Sequence, residues 1–80
     1  MKLAFDFGIT NTDIVSYKDG EMNFFTFPSE EISEEFIEKL LEHIKIKISD
    51  LEVIAVTGGK SSDLKNVFRG IPIVKVNEIE

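Results

Sequence analysis

The sequence predicts a mixed α/β domain, a five-stranded sheet in the order 3-2-1-4-5 with two helices mainly on one face. Three observations carry that prediction. Lys2 to Phe7, Asp13 to Tyr17 and Glu21 to Phe27 are apolar runs separated by turn residues, as in two successive antiparallel hairpins. Ile32, Phe36, Leu40 and Ile44 then recur every four residues, the spacing of one helix stripe. Leu51 to Val56 and Ile73 to Val76 are later apolar strands. Each follows a helical stretch, so each joins the sheet through a crossover.

Taken in order, Lys2 to Phe7 is a strand with one acid near its end, and Gly8-Ile9-Thr10-Asn11 is a turn. Between the second and third strands stands Asp19-Gly20. This pair suits a type I′ turn, whose two central positions need positive φ. Pro28-Ser29 ends the third strand, and Ser29 or Ser33 can cap the helix. Ile37 and Leu41 widen the apolar stripe. Glu30, Glu31, Glu34 and Glu35 crowd the first turns, while Lys39, His43, Lys45 and Lys47 sit late. That polarity complements the helix dipole and otherwise makes a solvated face. Thr57-Gly58-Gly59 breaks the fourth strand. A short second helix is expected near Ser62 to Phe68, stopped by Gly70 and Pro72.

Composition narrows the function. The chain has 80 residues, enough for one domain with a core of modest depth. It has no cysteine, which excludes a disulfide framework or a thiolate zinc site, and its one histidine excludes a multi-His metal centre. Nine Lys and Arg stand against 15 Asp and Glu, for a net charge of −6. That balance argues against nucleic acid, whose phosphates call for clustered positive charge. No apolar run approaches the ~20 residues of a membrane span, and Asp6 interrupts the first apolar stretch, so neither a membrane span nor a signal peptide is expected. A cytoplasmic location is expected.

Three segments can carry chemistry. In Asp6-Phe7-Gly8-Ile9-Thr10-Asn11-Thr12-Asp13 an acid ends a strand and a Gly- and hydroxyl-bearing turn follows. Such a turn can aim N–H groups and hydroxyls at phosphate oxygens, and the acid can hold the water shell of Mg²⁺. The same residues equally serve a plain hairpin. In Val56-Thr57-Gly58-Gly59-Lys60-Ser61-Ser62 the end mimics a Walker A loop, but the first glycine of that motif would fall on Ile54. Gly58 and Gly59 still permit close approach of an anion or substrate, or form a simple strand-to-helix turn. In Val76-Asn77-Glu78-Ile79-Glu80 two acids two apart share one side of a strand, or form a charged terminus. His43, beside the apolar stripe, reads as a surface or boundary residue.

In order and spacing these segments resemble one superfamily, that of acetate kinase, the sugar kinases, Hsp70 and actin. The opening, with Asp6, Gly8 and Thr10, looks like its first phosphate motif, D-x-G-x-T. Val56-Thr57-Gly58-Gly59 resembles the T-G-G after the fourth strand of type II pantothenate kinases. Val76-Asn77-Glu78-Ile79-Glu80 resembles their V-x-E-hydrophobic-acid segment. The resemblance implies a ribonuclease H-like or actin-like half domain, with residues 1–80 as the N-terminal subdomain of a longer ATP-dependent kinase. ATP and Mg²⁺ are the cofactors it implies. Asp6 would sit near the Mg²⁺–phosphate, Gly8, Thr10, Asn11 and Thr12 would form the phosphate-facing hairpin, and Glu78 would be the general base on the pantothenate hydroxyl. Two positions depart from the pattern. Ile9 replaces the second glycine of the phosphate turn. Asp13 stands where type II pantothenate kinases carry lysine, so D-x-G-x-T-x-T-D is more similar to N-methylhydantoinase.

The same fold admits a second enzymatic reading, the ATPase activator of 2-hydroxyacyl-CoA dehydratase. A reading of another class is a non-catalytic module that associates through its sheet. Helices on one face would leave the other bare, although the strands are apolar on both sides. An exposed apolar patch of that kind predicts a homodimer.

Overall fold

The computed structural model describes residues 1–58 and 64–76. Its strands are β1 (Lys2–Phe7), β2 (Asn11–Lys18), β3 (Glu21–Pro28), β4 (Val53–Thr57), β5 (Val67–Phe68) and β6 (Ile71–Lys75), and helix α1 (Glu34–His43) lies between β3 and β4. They form one mixed sheet in the order β3-β2-β1-β4-β6-β5. β1 pairs antiparallel with β2 and parallel with β4, and β4 pairs parallel with β6. The expected order of the first four strands holds, and the expected fifth strand is β6, beside β4 as foreseen.

The turns explain the hairpins. Asp19 and Gly20 both take positive φ, 52° and 80°, as a type I′ turn requires. That two-residue turn fixes the β2–β3 register, pairing Lys18 with Glu21 and, further along, Asp13 with Thr26. Arg69 and Gly70 repeat the device, at 51° and 82°, between β5 and β6. Val67–Phe68 is a strand, not the end of the second helix the sequence predicts, so the described residues hold six strands, one α-helix and a 3₁₀ turn at Ile48–Asp50. The start of that expected helix, Ser62 and Asp63, lies outside the described residues.

α1 begins at Ser33, whose Oγ accepts from the Phe36 amide at 3.1 Å. It ends earlier than the late lysines imply. Lys45 takes φ +58°, its amide donates to the Glu42 carbonyl, and the Ile46 amide donates to the Leu41 carbonyl. That pair of bonds is a Schellman closure, with lysine where glycine is usual. Phe36, Ile37, Leu40 and Leu41 form the buried stripe. They pack on Leu3, Phe5, Phe7, Ile14, Ile54 and Val56, all in one core with Phe68 and Ile73. The rings of Phe7 and Phe36 stand 6.3 Å apart. His43 is exposed at the helix end, its ring 5.7 Å from that of Phe27.

The opposite face carries no described element. Strand alternation puts Ala4, Val15, Phe24, Ala55 and Val74 in one row across it. Phe24 is 72% exposed and Val74 50%. No helix among the described residues is long and apolar enough to cross a membrane.

Candidate functional site

Parallel strands β1 and β4 end together, with Asp6 beside Thr57. The loops leaving such paired ends bring separate parts of the chain to one edge, the usual place for a ligand in α/β sheets. At this edge Gly58, the residue after β4, comes up against the end of β1. Gly58 sits at φ +86°, and a Cβ there would lie 2.6 Å from the Phe7 carbonyl oxygen and 2.8 Å from Asp6 Oδ1. A side chain is therefore barred by space as well as by backbone angle. Gly8 is held by a different constraint. A Cβ there would lie 2.6 Å from the Asn11 carbonyl oxygen, which accepts from the Gly8 amide at 3.0 Å.

Asp6 and Asp13 face each other across β1 and β2 on the uncovered face. Like charges directly opposite oppose pairing. The Thr26 hydroxyl donates to Asp13 Oδ1 at 2.8 Å. These groups, with Thr57, line a shallow hollow of about 460 Å³ floored by Ala4, Val15 and Phe24. A second hollow, about 550 Å³, lies on the helix side of the turn between Gly8, Ile9 and Ser29, with Glu30 and Glu31 on its rim. Two carboxylates there disfavour an anion.

The structure thus brings together Asp6, Gly8, Thr10, Asn11 and Gly58. Thr10 and Asn11 are exposed at the tip, and Ile9 is fully exposed beside them. Thr12 is different. It is fully buried on the helix side, its Oγ1 3.0 Å from Ser29 Oγ. It braces the hairpin from within, its hydroxyl turned away from solvent. Ser29 Oγ also donates to the Gly8 carbonyl at 2.6 Å, and the Ser29 amide donates to the Thr10 carbonyl at 2.9 Å. Ser29, read from sequence as a helix cap, instead ties the end of β3 to the turn. The Asp19-Gly20 register could have found Thr26, because it carries Thr26 opposite Asp13. No sequence signal marked Ser29 for its bracing role. Gly59 and Glu78 lie outside the described residues.

The donor set suits Mg²⁺, a hard cation that takes one or two carboxylates and keeps several waters. Asp6 and Asp13 supply carboxylates open to solvent. Among the described residues no group of three or more His, Cys, Asp or Glu is placed to hold a metal ion, so any such ion would draw the rest of its shell from water and ligand.

No protein-family model matches the chain, and no curated protein matches it in sequence. Solved structures do match in fold. One is YeaZ from Pseudomonas aeruginosa, with a TM-score of 0.50 and 14% identity, over 95% of this chain and 43% of that one. Another is an uncharacterized protein with similarity to peptidase YEAZ from Pseudomonas aeruginosa, with the same score and identity, over 95% and 42%. The chain therefore spans less than half the length of the structures it matches. What it shares with them is a mixed α/β fold of the actin-like type.

Proposed function

We propose that the shared edge of β1 and β4 is half of a Mg²⁺–nucleotide site, in the N-terminal part of a kinase-like protein of actin-like fold. The observation that carries this is the close approach of Gly58 to Asp6 and the Phe7 carbonyl, which sets the residue after β4 against the carboxylate that precedes the Gly8 turn. Asp6 would orient the water shell of Mg²⁺, and the Gly8–Asn11 turn would offer backbone and side-chain donors to phosphate oxygens. Bound Mg²⁺ would neutralise charge on the transferring phosphoryl group. Thr12 and Ser29 would hold the turn in shape. The finer reading is phosphorylation of an alcohol of pantothenate type. It rests on the resemblance at Glu78, which would take the hydroxyl proton.

The chain offers one wall of such a site, so positioning and charge stabilisation are both incomplete. It should show no kinase activity alone, with Mg-ATP affinity on the order of millimolar. Amide NMR of the chain tests the reading. Mg-ATP should move the Gly8, Thr10, Asn11 and Gly58 signals, and Mn²⁺ should broaden those nearest Asp6. Asp6→Asn should abolish the broadening. Shifts confined to other regions, or none at 10-fold the ~1 mM expected, would overturn it.

A further inference from the structure

The uncovered face carries three parallel rows of side chains, and their arrangement selects an occupant. The middle row runs Phe24, Val15, Ala4, Ala55, Val74. Its centre is small, its ends are bulky, and Phe24 and Val74 are at least half exposed. Two residues along the strands on one side lies a row containing Tyr17 and Lys2. Two residues along on the other side lies the row containing Asp13 and Asp6. The face is therefore apolar through the middle, cationic with a phenol on one flank, and anionic on the other.

We propose that a second copy of this chain covers this face, stacked sheet on sheet about a two-fold axis that runs along the middle row. Such an axis lays the middle row on itself. It also reverses the strands, so the Lys2 row of one copy lies over the Asp6 row of the other. Lys2 then meets the partner's Asp6, and Tyr17 meets the partner's Asp13. By symmetry each pair forms twice. An axis along β1 would instead set Lys2 against Lys2 and Asp6 against Asp6, so charge decides between the two arrangements. Ala4 and Ala55 at the centre let the sheets approach the ~10 Å of ordinary face-to-face packing. Size fits as well. The two largest extents of the molecule are 29 and 27 Å. A contact over a face of those dimensions is on the order of 800 Å² per copy, the area a specific interface buries. The arrangement covers Asp6, so association and Mg²⁺–nucleotide binding would compete for it.

Sedimentation equilibrium of the chain over micromolar to millimolar concentration tests this. Metal and nucleotide are left out, so the outcome does not depend on the proposed site. A monomer–dimer equilibrium is expected. Ala55→Glu places two carboxylates beside the axis and should leave only monomer, with the circular dichroism of the fold retained. Lys2→Glu should raise the dimer dissociation constant at least about tenfold, and Lys2→Glu with Asp6→Lys should restore it to within about threefold. That rescue is an effect that simple loss of folding cannot produce. A chain monomeric at millimolar concentration would overturn the proposal, and if it bound a hydrophobic dye it would assign the face to some other partner. A dimer indifferent to Ala55→Glu, or a charge reversal without rescue, would also overturn it.

Discussion

On one side of β1, Leu3, Phe5 and Phe7 are no more than 2% exposed; on the other, Lys2, Ala4 and Asp6 of the same strand are open. The neighbouring strands repeat the contrast. Ile14 and Phe25 face α1, while Val15 and Phe24 face outward. Both faces are apolar at their centres. The covered one carries large side chains under a helix, and the open one carries alanines flanked by charge. Apolar character alone therefore does not assign a core. The difference lies in what α1 reaches, and Asp6 stands on the side it does not reach.

The largest expected effect lies on the covered face. Phe5 is 1% exposed and stacks on Phe7 with ring centroids 5.5 Å apart. Phe5→Ala removes a buried ring and leaves a cavity, at a cost of about 3–5 kcal/mol. A domain of this size has a total stability of only about 4–12 kcal/mol. Urea unfolding followed by circular dichroism should show a much lower midpoint or an unfolded chain. A loss below about 1 kcal/mol would mean that the face is not packed as described.

A smaller effect is expected where Gly58 meets the end of β1. Gly58→Ala must strain a positive φ and also displace the Phe7 carbonyl or the Asp6 carboxylate, for about 1–3 kcal/mol. Gly70→Ala isolates the first of these costs. Gly70 has φ +82°, but a Cβ there would meet nothing within 4 Å beyond its chain neighbours, so about 1 kcal/mol is expected. Thermal melts of the two variants measure the difference. Equal losses would show that Gly58 does not press on Asp6.

Much of this was legible beforehand, for identifiable reasons. The Asp19-Gly20 turn announced a hairpin because few residue pairs accept two positive φ angles, and its length fixed the register. The four-residue spacing from Ile32 marked α1, and Ser33 was one of two foreseen caps. Lys45 hid the true end of that helix, since lysine seldom takes the left-handed position where glycine is usual. β5 is hidden because Gly70 and Pro72 read equally well as the stop of a helix, while Phe68 is buried as a helical core residue would be. Arg69-Gly70 held the correct signal. Pro72 obscured it, since proline is unusual within a strand, yet it pairs with Val67 where the sheet ends. At the site, Asp6, Gly8 and Gly58 could be read as residue types, but their meeting depends on β1 lying beside β4. Thr12 could not be sorted from its neighbours until alternation turned it inward, against Ser29.

The smallest expected effect completes the contrast between the faces. Phe24 has the same ring as Phe5 but is 72% exposed, and its cross-strand partner is Val15. Phe24→Thr puts a β-branched, strand-favouring residue in place of the ring and loses only that pair contact. At low concentration it should therefore cost less than about 1 kcal/mol. Its larger effect should appear as concentration rises. If a second copy covers this face, association adds to the apparent stability of the native chain, and the unfolding midpoint climbs with protein concentration. Phe24→Thr should flatten that climb while changing the dilute limit little. Unfolding curves at 5 and 500 times a ~1 μM reference concentration would separate the two contributions. A dilute-limit loss as large as that of Phe5→Ala would show that Phe24 is already buried within a single chain, and the two faces would then not differ as described.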